Sequence, residues 1–330
     1  MHTRSFPCFD TEVPFARRSA RAVRAMMLAP GLLMVATATP AFAENTLSDP
    51  ASGPSEQARA WSEPTKPLPQ PASTDRLSFD GGAELVSQYI ARGVTFSDQP
   101  SLQPFASATL SLPSWNGGSV SDAHLTIGAW ASFQSGNPGA GQRNGGSLRG
   151  WYEGDLYVSL GAVLAKKLTV ATSFYHYTSP AHSYGAYNEF QLSFRYDDSG
   201  AWAGVPLRDF SVSPSLLVAR EQGRPFRKDA TYVEPSLSPS FSVGSRDNPA
   251  RLTIPLILGI SDNYFDGKDG GKKTFGYFRT GFLLAGKPFP KRVSALSLDG
   301  GVDLWLLNNQ VANGLKPAEL VAHVGLSVHF

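Results

Sequence analysis

Leu320-Val321-Ala322-His323-Val324-Gly325-Leu326-Ser327-Val328-His329-Phe330 closes the chain, and every even-numbered position in it is apolar. The odd positions run Val321, His323, Gly325, Ser327 and His329. In an extended strand successive side chains leave on opposite faces, so this stretch presents one oily face and one that is largely polar or small. The same alternation occurs at Leu156, Val158, Leu160, Ala162 and Leu164, with Asp155, Tyr157, Ser159 and Gly161 between them. It recurs at Leu296, Leu298, Gly300, Val302, Leu304 and Leu306, interleaved with Ser297, Asp299, Gly301, Asp303 and Trp305. Acidic residues thus lie regularly opposite an apolar face.

Working outward from these segments, period-two patterning predicts strands near 77–91, 101–112, 121–134, 151–164, 167–177, 186–196, 207–220, 229–243, 251–262, 274–286, 293–306 and 319–330. About ten residues suffice for a tilted strand to cross a bilayer, and an even number of strands returns both ends to one side. The expected fold class is therefore all-β, an antiparallel transmembrane β-barrel of about twelve strands over residues 77–330. A soluble sandwich uses the same alternation with the apolar face turned inward. The export signal described next, the number of regular strands and the terminal phenylalanine favour the barrel. Pro104, Pro214, Pro235, Pro239 and Pro255 fall inside the predicted strands, where a closed sheet has no edge to accept a missing donor. They require bulges or different strand boundaries.

Arg17, Arg18, Arg21 and Arg24 precede an apolar stretch from Ala25 to Ala38, and Ala41-Phe42-Ala43 supplies a small-x-small cleavage pattern. Residues 1–43 are read as a signal peptide cleaved after Ala43. Residues 44–76 contain Pro50, Pro54, Pro64, Pro67, Pro69 and Pro71 among small and polar residues and are read as a disordered periplasmic segment. Five of the 29 basic residues and two of the 27 acidic ones lie in the first 43 positions, so the rest carries 24 basic against 25 acidic. Such a balance gives no footprint for nucleic acid. The single cysteine, Cys8, lies in the signal, which leaves the mature chain no internal disulfide and no thiolate metal site.

With both ends periplasmic, the outer loops are 135–150, 178–185, 221–228, 263–273 and 307–318, and the inner turns include 165–167, 244–250 and 287–292. Trp115, Trp151, Tyr152, Tyr177, Tyr187, Tyr196, Trp202 and Phe289 fall near predicted strand ends, where rings at headgroup level form a girdle.

Ser87-Gln88-Tyr89-Ile90-Ala91-Arg92-Gly93-Val94-Thr95-Phe96-Ser97-Asp98-Gln99-Pro100-Ser101-Leu102-Gln103 resembles the first hairpin of a bacterial outer-membrane family labelled the Gcw-chp type, with Gln88 where an Asp is more usual. Tyr89, Arg92, Gly93 and Asp98 carry the motif. Val324, Leu326, Val328 and Phe330 resemble the signal read by the barrel-assembly machinery. The resemblance implies an outer-membrane location, with membrane lipids, that machinery and periplasmic chaperones as partners, and it implies fold more than activity. Gly93 suits a positive φ at a hairpin loop, and Arg92 is placed to pair with Asp98 across the turn or with an inward carboxylate.

Alternation places Glu84, Gln88, Asp122, Asp155, Glu189, Arg195, Glu234, Arg279, Asp299 and Asp303 inward as candidate lumen-lining residues, with His124, Gln191, His323 and His329. Charges of both signs suit a polar pore for small solutes, or pair with one another and plug it. The expected function is a porin-like passive channel or a structural barrel. The rival classes are a lipid-modifying enzyme, drawing on Ser173, Ser179 or Ser183 near His176 and His182, and a barrel that binds ligands through its outer loops. No spacing selects a nucleophile and base, so no catalytic residue is assigned. His323 and His329 are about 20 Å apart along a strand, too far to share one ion, and neither a metal nor a cofactor is expected.

Overall fold

The computed structural model describes residues 76–135, 150–224, 228–246, 248–265, 273–308 and 317–330. The expected signal peptide, and residues 44–75 of the expected periplasmic segment, lie outside the described residues.

The wall opens with β1 (Leu77–Val86) and, after an inward excursion described below, continues through β4 (Ser101–Ser111), β5 (Val120–Gln134), β6 (Trp151–Leu164), β7 (Leu168–Thr178), β8 (Tyr187–Tyr196) and β9 (Ser215–Gln222). Next come β10 (Thr231–Leu237), β11 (Ser240–Gly244), β12 (Pro249–Thr253), β13 (Leu256–Ser261), β14 (Phe275–Gly286), β15 (Leu296–Leu307) and β16 (Ala318–His329). Every pairing in the wall is antiparallel, and β1 pairs with β16 from Asp80↔His329 to Val86↔His323, which closes the sheet. β10 and β11 are one wall strand interrupted at Ser238-Pro239, and β12 and β13 are another interrupted at Ile254-Pro255. The Ile254 N–H donates to the Pro239 carbonyl at 2.8 Å, so the two breaks face each other and share the repair. Counted this way the barrel has twelve strands.

The fold is an antiparallel transmembrane β-barrel. Its exterior is apolar: Ile127, Leu156 and Leu320 are 60, 62 and 64% exposed, while their neighbours Thr126, Asp155 and Val321 are buried. A soluble sheet would bury the first set; a barrel in lipid turns it outward and has no edge strand to satisfy. Among the described residues no helix is long and apolar enough to cross a membrane.

The prolines mark where the sequence-derived boundaries need correction. Pro104 stays in β4, opposite Ala83 of β1, and on its other side the ladder to β5 skips from Leu102↔Phe133 to Phe105↔Trp130. Pro235 likewise keeps its partner Leu216 in β9 while the pairing of β10 with β13 skips from Val233 to Ser236. Each missing donor thus falls on a side where pairing lapses. The predicted strand 207–220 begins only at Ser215. Asp198 organises the preceding turn, accepting from the Val212 N–H at 3.0 Å, the Ser213 N–H at 2.9 Å and the Trp202 ring N–H at 2.6 Å. Asp209 and Ser213 take positive φ there, which no strand permits.

The predicted strand 77–91 also ends early, at Val86. Residues beyond it form β2 (Tyr89–Ala91) and β3 (Val94–Ser97), a separate two-stranded hairpin.

The aromatic girdle is corrected in part. Trp115, Tyr196, Trp202 and Phe289 are exposed at the rim where β1 begins and β16 ends, the termini rim of the described barrel. Trp151 is half-buried at the far rim, where its ring meets Phe133 at 5.4 Å. Tyr152, Tyr177 and Tyr187 are buried inside the barrel: Tyr177 and Tyr187 share the inward parity of their strands, while Tyr152 turns in where the pairing of β5 with β6 shifts register between Ser132↔Glu153 and Phe133↔Trp151.

Candidate functional site in the barrel interior

Hairpin β2–β3 crosses the lumen. Its tip residue Arg92 grips Glu189 of β8, five strand pairings round the wall from β1, a span that only a path through the interior allows. Arg92 and Gly93 form a two-residue turn with φ of 49° and 72°, the positive pair that a tight hairpin with right-handed twist requires. Gly93 has a second reason to lack a side chain: a Cβ there would lie 2.9 Å from Cδ1 of Tyr277. Arg92 holds a left-handed conformation that costs an ordinary residue about 1–2 kcal/mol, and its contacts supply the compensation.

Those contacts form a bidentate clamp. Nη1 donates to Oε2 of Glu189 at 2.5 Å and Nη2 to Oε1 at 2.6 Å, with both side chains almost fully buried. The guanidinium lies 4.6 Å over the Tyr232 ring, and Gln191 donates to Glu189 at 2.8 Å. A planar fork on a carboxylate, stacked on an aromatic face, uses what distinguishes arginine from lysine. Of the two partners foreseen for Arg92, the inward carboxylate is the one found; Asp98 is exposed beyond β3.

Aromatic packing seats the hairpin. Tyr89 lies tilted 5.3 Å from Phe96 and 5.7 Å from Trp130, and its hydroxyl donates to Glu153 at 2.9 Å. Phe96 lies 5.6 Å from Tyr152. Tyr157, Tyr175, Tyr177 and Tyr187 form a stacked ladder across β6, β7 and β8. The hydroxyls of Tyr232 and Tyr277 converge on Glu234. At the far rim Arg224 meets Glu221 at 2.7 Å beside the Tyr187 ring. Burial there disfavours its charge, but Tyr187 and Glu221 outweigh that and hold the guanidinium protonated beyond the ordinary arginine range.

Toward the termini side the interior changes to small hydroxyls. Thr109 meets Thr126 at 2.9 Å, Ser215 meets Ser236 at 2.5 Å, and Ser159 bonds Ser173. Arg251 is held there by the Ser240 and Ser211 hydroxyls at 2.6 and 2.8 Å.

Glu84, Asp155, Glu189, Glu234, Arg279, Asp299 and Asp303 are buried. Arg279 donates to Asp303 at 2.5 Å, and Glu84 lies 3.0 Å from His323. Gln88 is half-buried and reaches Glu319 at 3.5 Å; Arg195 is half-buried opposite Ser215. Asp122 keeps a 40% exposed side chain at the termini rim and pairs with His124 at 3.1 Å. Val324, Leu326 and Phe330 face outward, Val328 is half-buried, and the final backbone N–H donates to Phe79 at 2.9 Å. His329 is half-exposed against Asp80 and stays apart from His323. Ser173 faces the interior while His176 faces out to Asn188 at 2.7 Å, and the Ser179 hydroxyl donates to the Tyr152 carbonyl.

Tyr232, Tyr277, Glu153 and Trp130 were missed as site residues, although Tyr232 and Tyr277 share the strand parity of the chosen Glu234 and Arg279. Parity was available for them; that a hairpin would fold in against them was not.

No family model matches the chain, and no curated protein matches it. Among solved structures, the chain is similar to the NanC porin at 12% identity and a TM-score of 0.41, covering 76% of this chain and 98% of that one. It is similar to an outer membrane channel from Pseudomonas putida F1 at 9% identity and a TM-score of 0.42, covering 77% and 95%. It is also similar to the beta domain of the Bordetella autotransporter BrkA at 10% identity and a TM-score of 0.39, covering 77% and 99%. Likenesses this distant concern the fold alone, and function has to come from the site.

Proposed function

We propose that the chain is a bacterial outer-membrane barrel serving as a passive channel for small polar solutes, held closed by its own first loop. The termini rim then faces the periplasm and the far rim the cell exterior. The observation that carries this reading is the buried Arg92–Glu189 clamp, because it fastens a hairpin across the lumen by an ionic contact. A barrel needed only as scaffold gains nothing from such a clamp: replacing a buried ion pair by apolar residues is often neutral or stabilising. Charged groups of both signs along the wall would then bias which solutes enter once the hairpin moves. Membership of the family that residues 87–103 resemble rests on that stretch, whose Arg92 and Gly93 form the hairpin tip.

Planar-bilayer recording tests the proposal. The intact chain is expected to be silent or briefly conducting, and a variant with residues 88–98 replaced by a short glycine-serine linker is expected to conduct steadily. A linker variant that inserts but never conducts leaves a structural barrel as the function and ends the channel reading.

A further inference from the structure

Away from the hairpin's clamp, three side chains converge from three adjacent strands. Glu84 of β1 and Asp299 of β15 both lie opposite Gly325 of β16, one on each side, and His323 stands two residues along β16 on the same face. All three are buried, and one ligand atom from each lies within 4.8 Å of the other two. Glycines make the convergence possible. A Cβ at Gly325 would sit 2.5 Å from Oδ1 of Asp299, and one at Gly301 would sit 2.7 Å from Nε2 of His323.

Asp299 is the unexplained member. It is 4% exposed, and neither of its carboxylate oxygens has a hydrogen-bond partner. An ionised carboxylate left so is costly, and nature normally matches it with donors or a cation. Glu84, Asp299 and Asp303 supply three carboxylates, and the cation contacting them, Arg279, is engaged with Asp303 at 2.5 Å. A neutral His323 beside ionised Glu84 and Asp299, the state in which all three ligate, would carry two negative charges, the amount a divalent ion neutralises.

We infer that Glu84, Asp299 and His323 bind one first-row divalent transition-metal ion inside the barrel. Two carboxylate oxygens and an imidazole nitrogen suit zinc and its neighbours, whereas calcium and magnesium sites are built from oxygen alone. Around a tetrahedral ion with bonds of about 2.0–2.1 Å, ligand atoms stand about 3.3 Å apart. Nδ1 of His323 is already 3.0 Å from Oε1 of Glu84, so a modest rotation of Asp299 completes the set. The second ring nitrogen fits the same assignment: Nε2 faces Oδ2 of Asp303 at 3.6 Å, and Arg279 fixes that carboxylate. A carboxylate behind a ligating imidazole orients the ring and raises its basicity.

The test uses the full chain extracted in detergent without a polyhistidine tag, stripped with EDTA and desalted. Zn²⁺ is titrated calorimetrically and then counted by elemental analysis after a second desalting. One zinc per chain is expected, with at least tenfold weaker binding in Asp299→Asn and in His323→Gln, and no displacement by millimolar Ca²⁺. Heat-modifiable gel migration reads folding separately, and the wild-type count and His323→Gln decide the matter even where Asp299→Asn misfolds. Absence of stoichiometric zinc on the wild-type chain, equal binding in the folded variants, or displacement by Ca²⁺ overturns the inference.

Discussion

Replacing Glu189 by alanine removes one half of the clamp and strands the other. Arg92 is 4% exposed and Glu189 0%, so its guanidinium would be left charged and buried, with the face of Tyr232 at 4.6 Å still beside it. Breaking a buried pair from one side costs about 3–5 kcal/mol. At about 1.4 kcal/mol per decade, that shifts the ratio of seated to released hairpin by roughly 100- to 4,000-fold. Two assays read the shift. Single-channel recording reports open probability, and trypsin added to the outer face reports access to the bond after Arg92, which the seated hairpin protects. Both are expected to rise together in Glu189→Ala. The double variant Arg92→Met with Glu189→Leu is expected to return to the closed, resistant behaviour, since an apolar pair of similar size can replace a buried ionic one. Equal conductance and equal trypsin resistance in Glu189→Ala and the wild type would refute the clamp as the fastening of the loop.

Gly93→Val forces a branched side chain into φ 72° and toward Tyr277, and is expected to release the hairpin at a cost of about 1–2 kcal/mol or more, seen as the same trypsin cleavage. Leu156→Arg places a charge on the lipid face at mid-strand, where the cost is about 2–4 kcal/mol, measurable as a lower denaturant midpoint for folding into lipid vesicles. The conservative Leu156→Ile should leave that midpoint nearly unchanged. Asp198→Ala strips acceptors from the Val212 and Ser213 N–H groups and the Trp202 ring, and about 1–3 kcal/mol of local order should go with each orphaned donor. Proteolysis of the 197–214 turn from the termini side is the readout, and an unchanged cleavage rate would contradict the turn's dependence on this carboxylate.

The wall was legible because its physics is local. Alternation alone predicts 151–164 with the bounds of β6, and β14 and β16 to within a residue. It errs where a side chain or an imino ring overrides the pattern. Asp198 captures three donors and delays β9, and Pro239 and Pro255 divide what alternation reads as continuous strands. The interior was legible only by face. Parity puts Glu189 and Glu234 inside, but nothing in residues 87–98 announces that they turn into the lumen, since a hairpin reads alike whether it points out to water or back into a barrel. The partnership of Arg92 with Glu189 spans 97 positions, and that of Glu84 with Asp299 depends on closure of the first strand on the last. Considering His323 only against His329, on its own strand, overlooked its neighbours across β16.

From position 77 onward the apolar face meets lipid around a closed, polar interior, and gel migration of the detergent-extracted chain reports that arrangement. Unheated, the protein from the outer-membrane fraction should run as a compact species that shifts to its denatured position only after boiling. A chain recovered from the soluble fraction without detergent, with identical migration before and after boiling, would contradict it.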